Sequence, residues 1–397
     1  MGKGVAVTGM GVISAIGNNV EENLRSLLHT QHGIFPAQFL ETRHLDLPVG
    51  EVKLSNEILQ NYLQLQPGHA YTRAALLGAI AIREALLQAR LSKAEIKTMG
   101  FISASSVGGM DMTEKYYSQF NINPEHSRFI QAQHPGFTTT KIQEYFGING
   151  FVTTISTACS SSANAIMLGA RLIKAGKLKR VIVGGTDCLT KFTLNGFNSL
   201  KILSAEACRP FDEDRSGLNL GEGAAYLILE AEDLVGNREI LGRVKGYGNS
   251  NDAFHQTASS ESGEGAFLAM QKALKTASLS FHDIDHINAH GTATKNNDLS
   301  ESVAIKRIFS QKVPDLTSTK SYTGHTLAAA GSLEAVYSLL SLKREIIFPC
   351  LNFREPMKET GLIPVTRVKN KMMKHVLSNS FGFGGNCTSL IFTRDEK

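Results

Sequence analysis

With 397 residues, 42% of them hydrophobic and 19% charged, the chain is composed like an ordinary globular protein, which excludes disorder and a fibrous repeat. No apolar run reaches the roughly 20 residues that span a bilayer, and the opening MGKGVAVTGMGVISAIG lacks the basic, continuously apolar and cleavable parts of a signal peptide, so a cytoplasmic protein without a membrane partner is expected. The net charge of +5 comes without a Lys/Arg block, which is too weak a bias for nucleic acid but suits an acidic protein partner.

The first predicted element is a strand at VAVTG. Thr8-Gly9-Met10-Gly11 at its end resembles half of a dinucleotide fingerprint, but the third glycine and the following acidic residue are missing, so no nucleotide site is read there. A helical period runs through YTRAALLGAIAIREALLQARL, and strands are expected at TMGFISAS, VTTIST, RVIVGGTD, AAYLILE, DHINAHG, VLSNSFG and SLIFT. Strands alternating with helical segments indicate an α/β chain of layered sheets and helices. No Pro/Gly/Ser linker divides it, so any lobes must pack closely.

Where VTTIST gives way to the helical SSSANAIMLGARLIKAGKLK, Cys159 lies at the junction. The free N–H groups and positive end of that helix favour a thiolate, and the small residues around the cysteine leave room for a substrate. His290 ends the apolar strand of INAHGTAT, at the kind of strand edge where ligands gather in α/β sheets. His325 is expected to begin a helix, with Gly324 permitting a tight turn before it. Residues 153–180, running from a strand through Cys159 into a small-residue helix with a basic end, are echoed by residues 317–344, which run through Thr323-Gly324-His325 into a similar helix. Such an echo implies two related halves, with Cys159 and His325 facing each other. In NSFGFGGN, glycines flank Phe383 directly after a strand, and exposed N–H groups in such a turn can stabilise an oxyanion. The five cysteines, at 159, 188, 208, 350 and 387, are odd in number and include no CxxC pair, so free thiols are expected rather than disulfides or a zinc site.

TACSSS, NAHGTATKNNDLSE, TKSYTGHTLAAAGS and NSFGFGG occur in this order and at these separations in the elongating β-ketoacyl-acyl carrier protein synthases, and the chain resembles that Cys-His-His family from VAVTGMGVIS to NSFGFGGN. The resemblance implies a thiolase-like fold of two pseudo-repeated halves in an α-β-α-β-α arrangement: residues 1–240 carry the nucleophile and 241–397 both histidines. It implies that Cys159 is the nucleophile, that His290 and His325 are the paired histidines, and that Lys320 and Glu301 are the buried lysine and acid that orient them. It further implies that Phe383 is the gate whose N–H joins that of Cys159 in the oxyanion hole, that Thr292 and Thr294 hold a phosphopantetheine arm, and that Lys201 meets the carrier protein.

The implied reaction is the decarboxylative Claisen condensation of a Cys-bound acyl group with malonyl-acyl carrier protein, in fatty-acid or in specialised polyene or polyketide synthesis. No metal or organic cofactor is implied. The implied partners are an acidic, phosphopantetheinylated acyl carrier protein and a second copy of the chain, or a chain-length factor in a heterodimer. Three departures from the family's usual pattern stand out: Ala15 for a proline, Lys295 for the proline after HGTxT, and Asn386 for a threonine. Val107, Gly108 and Phe197 are expected near the acyl pocket. Two alternatives stay open: a non-catalytic partner of the chain-length-factor type, which would lack the nucleophilic cysteine, and a coenzyme A thiolase, which would use a second cysteine where Cys387 stands.

Overall fold

The computed structural model describes residues 4–310 and 312–395. Its first strand, β1 (Val5–Ser14), is buried at every position, because neighbouring strands pair with both of its edges and helices cover both of its faces. Four more strands complete the first half of the sheet: β2 (Gly100–Ala104), β3 (Val152–Ile155), β4 (Arg180–Asp187) and β5 (Gly223–Ala231). Five follow in the second: β6 (Gly242–Asn251), β7 (His286–Asn288), β8 (Asp315–Thr317), β9 (His375–Phe381) and β10 (Asn386–Thr393).

The spatial order is β3-β2-β4-β5-β1-β6-β10-β9-β7-β8. Strands β1–β5 and β5–β4 pair antiparallel, and β4–β2 and β2–β3 pair parallel. Outward from β6 the same senses recur, antiparallel for β6–β10 and β10–β9 and parallel for β9–β7 and β7–β8. Only Ala6↔Arg243 and Val7↔Gly242 join the two runs, so what layering alone would draw as two sheets is here one continuous sheet.

Strand β5 is buried at every position, and the alternation of its side chains between the two faces shows how the layers are built. Ala225, Leu227 and Leu229 point to the interior between the two runs, whereas Ala224, Tyr226 and Ile228 point out to helix α1 (Arg73–Ala89). With α2 (Pro135–Phe146), α1 forms one outer layer. The central layer holds α3 (Ser161–Lys174), which precedes α4 (Lys191–Ser199) near the surface. The opposite outer layer is α5 (Glu264–Ala277) and α6 (Lys295–Phe309), and α7 (Ala330–Arg344) packs with α3 in the centre. The result is an α-β-α-β-α stack. Helix α7 is buried along most of its length, and its Leu333, Val336, Leu339 and Leu340 each contribute about 1.5–3 kcal/mol by leaving water. Among the described residues, no helix is long and apolar enough to cross a membrane.

The glycines of Thr8-Gly9-Met10-Gly11 have a packing reason rather than a nucleotide one. A Cβ on Gly9 or Gly11 would lie 2.2 or 2.0 Å from the carbonyl oxygens of Ala85 and Ala81, so only glycine lets α1 lie directly on β1. Gly246 and Gly248 do the same in β6, where a Cβ would come within 2.5 and 2.1 Å of the Ala273 and Ala269 carbonyls of α5.

Candidate active site

Helices α3 and α7 meet at their N-terminal ends, and that contact gathers the site. A Cβ on Gly331 would lie 2.9 Å from the backbone nitrogen of Ala163, and the Ser332 N–H donates to Ser162 Oγ at 2.9 Å. Just before α3, Ala158 holds a left-handed φ of 51°, which folds the chain sharply after β3. Ser161 Oγ stabilises the bend by donating to the Ala158 carbonyl at 2.5 Å and accepting the Thr157 N–H at 2.8 Å. Cys159 therefore stands at the head of α3, buried but open to a cavity.

The helix-end reading of Cys159 as a low-pKa thiol is overturned. Burial pushes the thiol up to about 11, against the opposing pull of the Lys320 charge and of the Phe383 N–H hydrogen bond. At neutral pH the resting group is a thiol that must lose its proton as it attacks.

His290 follows β7 in a turn held by a carboxylate. The backbone N–H groups of His290 and Gly291 donate to the two oxygens of Glu301, each at 2.9 Å, and Asn379 Nδ2 donates to the same carboxylate at 3.1 Å. Burial raises Glu301 to about 7. Glu301 thus orients His290 through its backbone. The carboxylate that neutralises Lys320 is a different one, Glu334 on α7, which sequence reasoning missed. Its signal was visible: a lone acid in the otherwise apolar or small run LAAAGSLEAVYSLL must be buried, and a buried charge needs a partner.

Lys320 spends its three protons on Glu334, on the His290 carbonyl at 2.5 Å and on His290 Nδ1 at 3.2 Å. Because the ammonium donates to Nδ1, the proton of His290 sits on Nε2, leaving that N–H as a donor. The ring of His325 stands nearly perpendicular to that of His290, with centroids 5.4 Å apart. Contrary to what its sequence context predicts, His325 does not begin a helix. A helical turn, Lys320–Thr323, ends before it, Gly324 takes φ 69°, and α7 starts five residues after it. Its backbone is clamped instead between Asn219 and Gly221, by N–H···O bonds of 2.7 and 2.9 Å. Burial and the nearby Lys320 charge hold both imidazoles well below the usual histidine range, so both are neutral.

Cys159, His290, His325 and Phe383 line one cavity of about 530 Å³, open to the surface. Phe383 lies in the turn Phe383–Gly385 and stacks on Phe197 of α4, with centroids 5.7 Å apart and planes 17° from parallel. Thr292 and Thr294 line the passage, their hydroxyls 2.9 Å apart, and Lys201 and Lys295 stand at its mouth. Of the residues expected near the acyl pocket, Phe197 lines the cavity, while Val107 and Gly108 do not. Val107 instead joins an apolar cluster with Leu189, Leu218 and Leu327. Cys387 also lines the cavity, and all five cysteines are free and buried.

Comparison with known proteins agrees with this geometry. Family models described as the N-terminal and C-terminal domains of beta-ketoacyl synthase match residues 3–234 and 241–354. The chain is 32% identical to a Staphylococcus aureus 3-oxoacyl-[acyl-carrier-protein] synthase 2, covering 99% of each, and 33% identical to one from Vibrio cholerae, covering 98% and 99%. Among solved structures, an ishigamide ketosynthase/chain length factor superposes with a TM-score of 0.93 over 100% of both chains at 28% identity. A structure of a ketosynthase in complex with its chain length factor from Xenorhabdus doucetiae gives 0.82 at 31% identity, covering 99% and 98%.

Proposed function

The chain belongs to the β-ketoacyl synthase family, and from that premise we propose the way in which its own residues carry out the family's decarboxylative condensation. The enzyme joins an acyl group, held as a thioester, to malonyl-acyl carrier protein, giving a 3-oxoacyl-acyl carrier protein and CO₂. The observation that carries the residue assignment is the convergence of one thiol, two neutral imidazoles and a turn N–H on a single open cavity.

In the first half-reaction, Cys159 Sγ attacks the acyl-carrier thioester carbonyl. The thiol proton passes to neutral His325, and the tetrahedral oxyanion rests on the N–H groups of Cys159 and Phe383. Collapse breaks the bond to the carrier sulfur, which leaves as a thiol once the proton is returned to it. In the second, malonyl-carrier places its thioester carbonyl against the imidazole donors, with His290 supplying Nε2–H. The carboxylate departs as CO₂, and its bonding pair becomes an enolate stabilised by those donors. The enolate carbon attacks the acyl-Cys159 carbonyl, and the sulfur leaves and takes up a proton. Lys320 keeps His290 in the donating tautomer throughout, and Glu301 keeps its backbone in place.

The hydroxyls of Thr292 and Thr294 suit the amides of a phosphopantetheine arm, and the cations Lys201 and Lys295 at the mouth suit an acidic carrier. A homodimer is the assembly proposed for this chain; relatives of known structure include ketosynthases bound to a chain length factor and to a carrier protein.

Cys159→Ala is expected to abolish acyl transfer, and Cys159→Gln to keep malonyl-carrier decarboxylation while losing condensation. Condensation by the alanine variant would refute the nucleophile assignment. Loss of both activities in the glutamine variant would refute the division of labour between sulfur and imidazoles.

A further inference from the structure

The oxyanion hole described above takes its two N–H donors from separate segments, Cys159 at the head of α3 and Phe383 in the turn before β10. Such donors act by being fixed before the charge develops, and a misplacement of about 1 Å can cost a hundredfold in rate. The two segments touch: a Cβ on Gly382 would lie 3.1 Å from the Cys159 nitrogen. Contact alone does not fix their spacing, because the turn carries Gly384 at φ 81° and Gly385 at φ 85°, residues with wide backbone freedom.

One side chain bridges them. The backbone carbonyl of Asn386 accepts the Gly382 N–H at 2.8 Å and closes the turn that carries Phe383. Its side-chain Oδ1 faces three donors: Asn164 Nδ2 at 2.8 Å, Asn249 Nδ2 at 2.9 Å and Ser160 Oγ at 2.8 Å. Ser160 directly follows the nucleophile, and Asn164 lies in the first turn of α3. Asn249 belongs to β6, beside β10 in the sheet. The Ser160 hydroxyl has one proton and is also 2.8 Å from the Thr157 carbonyl, and Asn249 Nδ2 also reaches Thr388 Oγ1 at 2.9 Å, so the best-fixed donor is Asn164 Nδ2, whose two protons meet two close acceptors, Asn386 Oδ1 and Thr157 Oγ1. Thr388 Oγ1 completes the cluster by donating to Asn164 Oδ1 at 2.8 Å, which leaves the Asn164 amide oriented toward Asn386.

We propose that Asn386 is a positioning residue that ties the Phe383 turn to the head of the nucleophile helix through its side-chain oxygen, and so sets the spacing of the two oxyanion donors. It touches neither substrate nor sulfur. Its effect falls on steps that pass through the tetrahedral oxyanion, namely acyl loading and condensation. Decarboxylation of malonyl-carrier uses the imidazole donors and lies outside its reach. The proposal rests on the condensing-enzyme reading, and its test keeps the two apart.

The test compares acyl loading of Cys159, followed by rapid-quench mass spectrometry with acyl-carrier thioester, against malonyl-carrier decarboxylation in the same preparations. Asn386→Leu removes the acceptor at similar size. It is expected to slow loading roughly tenfold to a hundredfold at saturating acyl-carrier, with KM within about twofold and decarboxylation unchanged within about twofold. Asn386→Thr, which returns an oxygen to the position, is expected to recover most of the loading rate. Should the leucine variant not fold, Asn386→Ala, which likewise carries no acceptor, is expected to show the same split. Loading at the wild-type rate in the leucine or alanine variant overturns the proposal, as does an equal loss of loading and decarboxylation. Failure of the wild-type protein to load at Cys159 at all would strike the underlying reading instead.

Discussion

At the residue scale, the proposed chemistry rests on three groups, Cys159, His290 and His325, kept neutral by burial. Cys159 and His290 were legible because each follows an apolar strand and precedes small residues or glycine, and His325 because a glycine before it permits a tight turn ahead of a small-residue helix. What could not be read was the electrostatic setting, since burial is a property of the fold. The cost of removing the sulfur anion from water outweighs the pull of the Lys320 charge and of the Phe383 N–H toward the thiolate. With the thiol near 11, the thiolate fraction rises about tenfold per pH unit below that value. Alkylation of Cys159 by iodoacetamide is therefore expected to climb about tenfold per unit between pH 7 and 9; a rate that levels off by pH 8 would contradict this.

The Lys320–Glu334 pair makes a second residue-scale prediction. Lys320→Met removes the donor that fixes the His290 tautomer and leaves Glu334 buried without a cationic partner. Decarboxylation is expected to fall roughly a hundredfold, and stability in denaturant titration by about 3–5 kcal/mol. Adding Glu334→Leu is expected to restore most of the stability and none of the activity. If the double variant regained activity, the pair would have a structural role only.

At the element scale, strand and helix types were largely readable, because the buried strands are dense in β-branched and other apolar residues and the helices have clear apolar periods. Strand β8 was missed, and so was β6. Its sequence, GRVKGYGNSN, carries glycines and a lysine, and the glycines are there so that α5 can lie directly on the strand, a need that local sequence does not express. The echo between residues 153–180 and 317–344 corresponds to two edge strands, β3 and β8, each leading to a central helix, α3 or α7. We propose that this repetition, with a division near residue 240, is what brings Cys159 and His325 together. The crossing depends on Gly331, where a Cβ would meet Ser380 Oγ at 2.7 Å and the Ala163 nitrogen at 2.9 Å. Gly331→Ala is expected to destabilise the protein by about 1–3 kcal/mol and to slow acyl loading. An alanine variant with unchanged denaturant midpoint and loading rate would show that the crossing tolerates a wider separation.

At the scale of the whole molecule, one continuous sheet with helices on both sides and between its halves holds the sulfur and the imidazoles on different segments yet around one cavity. In the proposed reaction that arrangement separates two tasks, storing an acyl group on sulfur and generating a carbanion beside it, and lets them share a passage. The family pattern in four motifs made the reaction legible before the fold. The acyl pocket was less so, because its walls come from α4, β10 and the segments after β7 and β9, whose spacing depends on how the halves pack. The most direct measurement is intact-protein mass spectrometry of the enzyme after acyl-carrier thioester, with peptide mapping, and again after malonyl-carrier. The account predicts one acyl group, mapped to Cys159, that disappears on malonyl-carrier addition as CO₂ and a two-carbon-longer 3-oxoacyl-carrier form. An acyl group on Cys387, or an adduct on Cys159 that malonyl-carrier leaves untouched, would contradict it.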